Sequence, residues 1–85
     1  RILLLEDEKL AAKAIIQKLG ELSADYQVVA QIASVADARR WLPTSPAPDL
    51  ILADIQLADG TSFEIFETHQ VGTPIIFITA FDEFA

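Results

Sequence analysis

The chain has 85 residues, 52% of them hydrophobic, with a formal net charge of −7. These values fit one small packed domain, or part of one, and argue against intrinsic disorder. Six Lys and Arg against thirteen Asp and Glu make nucleic acid a poor direct ligand, and zero cysteines exclude disulfides and thiolate metal sites. In chain order, Ile2-Leu3-Leu4-Leu5 is apolar without alternation, as in a strand buried on both faces of a parallel sheet. Leu10, Ala11, Ala14, Ile15, Leu19 and Leu22 then form an apolar stripe at helical spacing, with Lys9, Lys13, Gln17 and Lys18 mostly off it and Gly20 near its C-terminal end. Tyr26 to Ala33 alternates: Val28, Ala30 and Ile32 are expected on one face and Gln27 and Gln31 on the other, the pattern of a half-exposed edge strand.

Ser34-Val35-Ala36-Asp37 reads as a capping box that opens a helix to about Leu42, and Pro43, Pro46 and Pro48 then force a loop. Leu50-Ile51-Leu52-Ala53 is a second fully apolar run. Asp59-Gly60 is a turn, and Thr61 with Glu64 can cap a short helix containing Phe63, Ile65 and Phe66. Gly72, Thr73 and Pro74 lead into a last apolar run, Ile75-Ile76-Phe77-Ile78. The order β-α-β-α-β-α-β predicts an open α/β sheet with helices on both faces and right-handed crossovers. No run approaches a membrane span and no signal peptide is visible. The chain starts at Arg1 without Met, so a few preceding residues are expected.

Polar residues follow three of the strands directly: Glu6, Asp7 and Glu8, then Asp54, then Thr79. In a parallel sheet these positions share the C-terminal edge, where such folds bind ligands. Converging carboxylates repel unless a cation or protons intervene. Oxygen donors without Cys or a well-placed His favour a hard cation, and Mg²⁺ is the natural candidate. A carboxylate beside that ion can act as a nucleophile toward phosphorus, and a hydroxyl such as Thr79 can donate to a phosphoryl oxygen. Each residue alone has an ordinary reading: an Asp after a strand is often a cap or turn former. The lone His69 reads as a surface residue far from this edge.

Three stretches together resemble response-regulator receiver domains: Ile2 to Glu8, Leu52-Ala53-Asp54-Ile55-Gln56-Leu57 with Asp59-Gly60, and Ile76 to Ala85. The last stretch looks most like receivers joined to LytTR-type (LytR/AlgR-like) DNA-binding domains. The resemblance implies a flavodoxin-like, CheY-like doubly wound sheet of strand order 2-1-3-4-5, with residues 1–85 ending after strand four. The fifth strand, its Lys, most of helix four and all of helix five would be absent, leaving Ile75 to Ile78 as a bare edge. An 85-residue chain alone is then expected to be unstable, swapped or aggregated unless further residues complete the domain. The resemblance makes Asp54 the phosphoacceptor, Glu6 and Asp7 the acidic pair, and Asp7 the more direct Mg²⁺ ligand. Gln56 would offer its backbone carbonyl to the metal, Thr79 would be the switch hydroxyl, and Ala80 would leave the site open. Glu8 has no metal role and opens the first helix, where its charge suits the dipole. Ala58 stands where many family members have Pro, a change expected to loosen the turn.

Implied partners are a sensor histidine kinase, a second copy through the absent C-terminal elements, and DNA only through a separate effector domain, with no membrane. The implied setting is cytoplasmic, and the implied role is signalling, not turnover as an enzyme. Two alternatives stay open. One is a pseudo-receiver that keeps the fold as an interaction domain. The other is an Mg²⁺-dependent aspartyl-phosphate phosphatase, although those enzymes commonly carry a second Asp where this chain has Gln56.

Overall fold

The computed structural model describes residues 1–78. Its elements are β1 (Ile2–Leu5), α1 (Lys9–Leu22), β2 (Val28–Ile32), α2 (Val35–Trp41), a 3-10 turn (Leu42–Thr44), β3 (Leu50–Asp54), β4 (Gln56–Leu57), β5 (Gly60–Thr61), α3 (Phe63–Thr68) and β6 (Ile75–Ile78). Four strands form a parallel sheet in the order β2-β1-β3-β6. The fourth strand expected from sequence is thus β6. The short β4 and β5 pair antiparallel as a separate hairpin around Ala58-Asp59.

The unbroken apolar run of β1 follows from its central place, since both faces are covered. On one face Leu3 and Leu5 pack with Ile32, Ile51 and Ala53, under Val35 and Ala38 of α2 and Ile65 of α3. On the other, Ile2, Leu4 and Leu52 pack with Ala12, Ile15 and Leu19 of α1. Full burial of a side chain of this size contributes about 1.5–3 kcal/mol, so this strand anchors the sheet. Among the described residues β6 is the outer strand, and its Ile76 and Phe77 are exposed, unlike any residue of β1.

Three expectations change. The face that α1 buries runs through Ala12, Ile15 and Leu19, while Leu10 (79% exposed) and Leu22 (68%) point outward, as does Ala14. Apolar residues cover so much of this helix that periodicity alone does not choose the facing edge. Small Ala12 allows the closest approach to the sheet. The helix also continues through Gly20 to Leu22, where the Ser23 N–H still bonds the Leu19 carbonyl.

In β2 the alternation breaks. Ile2 pairs with Val28 but Leu3 pairs with Ala30, so a bulge at Val29 moves one residue out of register. Val28 therefore packs on the α1 face, with Ala30 and Ile32 on the α2 face. Sequence alternation does not reveal a one-residue bulge, because both flanking stretches keep period two.

Candidate functional site

Strands β1 and β3 are neighbours in register, Leu5 opposite Ala53. Glu6, just after β1, and Asp54, the last residue of β3, therefore stand side by side at the C-terminal edge of the sheet. The Glu6 N–H donates to the Ile32 carbonyl (2.9 Å), extending the β1–β2 ladder by one residue before the chain turns. Glu6 is buried, at 6% exposure, and its Oε2 accepts the Glu8 N–H at 3.1 Å. Asp7 is exposed beside it. Asp54 ends β3 opposite Ile78, is half-buried, and accepts the Gln56 N–H on Oδ1 at 3.3 Å. Glu8 precedes α1 and accepts the Ala12 N–H on its backbone carbonyl.

Glu6, Asp7 and Asp54 each offer a carboxylate oxygen, and these three atoms lie within 4.8 Å of one another. Two like unit charges about 4 Å apart repel by about 4 kcal/mol at an effective dielectric of 20. Among the described residues no ion pair involves any of the three; the side-chain pairs, Lys18–Glu21 and Arg40–Asp37, stand elsewhere. Burial, with the adjacent Asp54 charge added, raises the Glu6 carboxyl above the ordinary glutamate range despite the Glu8 N–H that favours its ionised form. The cluster is thus built to take up positive charge, as a proton or a cation. Its donors are all carboxylate oxygens, which suits a hard divalent ion of the Mg²⁺ type.

Gln56 opens the β4–β5 hairpin opposite Thr61, two residues beyond Asp54. Thr79 and Ala80 lie outside the described residues. His69 stands at the C-terminal end of α3, its Nδ1 3.2 Å from Thr68 Oγ1, and does not join the carboxylate cluster.

Two residues with structural roles at this edge were not singled out from sequence. Gln31, assigned to the outer face of β2, donates from Nε2 to the Glu6 carbonyl at 2.8 Å. Asp59, read as a turn former, accepts the N–H groups of Val35 (2.6 Å) and Ala36 (3.1 Å) at the start of α2. Those two bonds hold the Asp59 carboxyl below the ordinary aspartate range. Ser34 Oγ accepts the Asp37 N–H as a capping box requires, but the Asp37 carboxylate pairs with Arg40. Asp59, from a distant loop, satisfies the remaining amides. Ala58, expected only to loosen the turn, donates its N–H to the Ala33 carbonyl at 3.3 Å, a bond proline could not make. The Glu64 carboxylate reaches back to the Thr61 N–H at 2.7 Å, the arm of a cap foreseen from sequence.

A parallel sheet wrapped on both faces, with three carboxylates at the C-terminal ends of its two central strands, defines an open α/β domain whose polar cluster lies at the edge where such folds bind ligands. The model of the response regulator receiver domain matches residues 2–85, and the chain belongs to that family. It is 39% identical over 90 residues to the phyllosphere-induced regulator PhyR of Methylorubrum extorquens, covering 96% of this chain and 31% of that protein. It is similar to a solved structure titled anti-anti-sigma factor PhyR from Bartonella quintana, with 38% identity, a TM-score of 0.71, and 94% of this chain and 33% of that one covered. It also shares the fold of the MaeR response regulator bound to beryllium trifluoride, with a TM-score of 0.80 at 24% identity over 98% of this chain and 69% of that one. The chain spans about a third of the length of the curated relatives it matches. No helix among the described residues is long and apolar enough to cross a membrane.

Proposed function

We propose that this receiver domain accepts a phosphoryl group on Asp54 from a sensor histidine kinase, in a reaction that depends on Mg²⁺ held by Glu6, Asp7 and Asp54. The observation that carries this reading is the approach of the three carboxylate oxygens to within 4.8 Å of one another. Asp7 and Asp54 would hold the ion directly, Glu6 partly through water, and Gln56 through its backbone carbonyl. When bound, the ion offsets the negative charge that otherwise keeps a phosphoryl group away from a carboxylate.

The residues of the chain do the rest. The Gln56 N–H on Oδ1 orients the Asp54 carboxylate. One Asp54 oxygen forms a bond to phosphorus as the phosphorus–nitrogen bond of the kinase phosphohistidine breaks. The imidazole nitrogen takes a proton from solvent and leaves neutral. Thr79, next in sequence after β6, would donate its hydroxyl to a phosphoryl oxygen. With Gln56 where phosphatases of related chemistry carry an Asp, the adduct persists and is not turned over rapidly.

The test is incubation with a small phosphodonor and Mg²⁺, followed by intact mass. A single phosphate gain that disappears in Asp54→Ala supports the reading. No gain in the wild type supports a pseudo-receiver, and rapid multiple turnover of phosphate esters supports a phosphatase.

Output is a separate question. The resemblance of the last residues suggests a LytTR-type DNA-binding effector, whereas similarity to proteins named PhyR, one titled an anti-anti-sigma factor, favours a protein partner. The protein-partner route is the better supported, because those relatives are matched at 38–39% identity, against 31% for a curated response regulatory protein of Shewanella oneidensis. A basic domain following Ala85 in the gene would restore the DNA route.

A further inference from the structure

The loop that carries the acidic pair is short: Glu6, Asp7 and Glu8 join β1 to α1. It must aim two side chains at Asp54 while leaving the sheet. The β1–β2 ladder holds only its first atom, through the Glu6 N–H to the Ile32 carbonyl. Beyond that point the Glu6 carbonyl has no strand opposite it. Gln31 supplies the missing donor from its side chain, at 2.8 Å.

That bond lies at an informative place. The Glu6 carbonyl and the Asp7 N–H belong to one rigid peptide plane. A donor on the oxygen fixes the rotation of that plane, and so fixes the direction in which Asp7 leaves the backbone. Gln31 sits opposite Leu4, one residue before the end of the outer strand. From there its long side chain can reach the loop, although ordering it costs rotamer freedom. A glutamate of the same length would face the carbonyl with an acceptor and add a fourth negative charge near the cluster.

We propose that Gln31 is a positioning residue for the acidic site, holding the Glu6–Asp7 peptide so that Asp7 is aimed at the ion before the ion arrives. This rests on the Mg²⁺ reading given above. Groups that orient metal ligands in this way typically alter metal affinity by 10- to 100-fold when removed, and about tenfold is expected for a single neutral hydrogen bond.

Two variants of the full chain test it, Gln31→Leu and Gln31→Glu, each titrated with Mg²⁺ while the amide resonances of Asp7, Asp54 and Gln56 are followed. Unfolding midpoints are recorded alongside, to show that both keep the fold. Gln31→Leu should bind Mg²⁺ about tenfold more weakly than wild type. Gln31→Glu separates geometry from charge: added negative charge alone tightens cation binding, whereas loss of the donor weakens it. Weaker binding in both variants supports the proposal. Unchanged binding in Gln31→Leu, or tighter binding in Gln31→Glu, overturns it while leaving the metal reading intact. A wild-type chain with no saturable response to Mg²⁺ overturns the metal reading and this inference together.

Discussion

Glu6 is buried against Asp54, and burial with that neighbouring charge raises its carboxyl above the ordinary glutamate range. A carboxyl raised on folding binds its proton more tightly in the folded chain than in the unfolded one. Its contribution therefore favours folding at low pH and turns progressively against it as pH rises from the unfolded glutamate value through the raised folded value. In metal-free buffer, the thermal midpoint of the wild type should fall relative to Glu6→Gln across that window. Saturating Mg²⁺ should reverse the trend, because the ion binds the deprotonated site and only in the folded state. A wild type that gains stability over Glu6→Gln as pH rises without metal would contradict this account of Glu6. At this scale Glu6, Asp7 and Asp54 were legible in sequence, since Glu6 and Asp54 directly follow apolar runs and Asp7 adjoins Glu6. Gln31 was not, because a glutamine on an edge strand looks like any solvated side chain until its partner loop is placed.

At the level of elements, the β4–β5 hairpin ties the segment after Asp54 to the start of α2. Asp59 accepts two amides of that helix, and Ala58 donates to the Ala33 carbonyl just before it. The Val35 and Ala36 N–H bonds lower the Asp59 pKa, so their stabilising contribution is present above the unfolded aspartate value and is lost as pH falls through the lower folded one. Asp59→Ala should accelerate hydrogen exchange at Val35 and Ala36 at neutral pH, with α1 amides unaffected. Equal protection of those two amides in both proteins would show that the contact is incidental. The Asp-Gly pair signalled a turn, but nothing local reveals that its carboxylate caps a helix 24 residues away. Gly60 completes the hairpin at φ +153, where a Cβ would come within 2.3 Å of the Glu64 carboxylate that holds the Thr61 N–H. The facing edge of α1 and the bulge in β2 escaped the sequence for a related reason. Both are settled by how closely backbones approach, which a hydrophobic pattern does not encode.

For the whole molecule, sheet order creates the site. Placing β1 beside β3, with β2 and β6 outside them, brings residues 6, 7 and 54 to one edge although they are distant in the chain. The resemblance to receiver domains implied that order; the hydrophobic pattern marks the alternating β2 as a rim strand but does not separate β6, an unbroken apolar run on the outside, from the central β1 and β3. The central claim is that these three carboxylates form one cation site beside the residue that takes the phosphoryl group. Substoichiometric Mn²⁺, added while amide resonances are recorded, tests it most directly, since the paramagnetic ion broadens nearby signals. The account predicts broadening centred on residues 6–8 and 54–56, displaced by excess Mg²⁺ and lost in Asp7→Ala. Broadening centred on other acidic residues such as Glu21 or Asp37, or none that Mg²⁺ can displace, would contradict it.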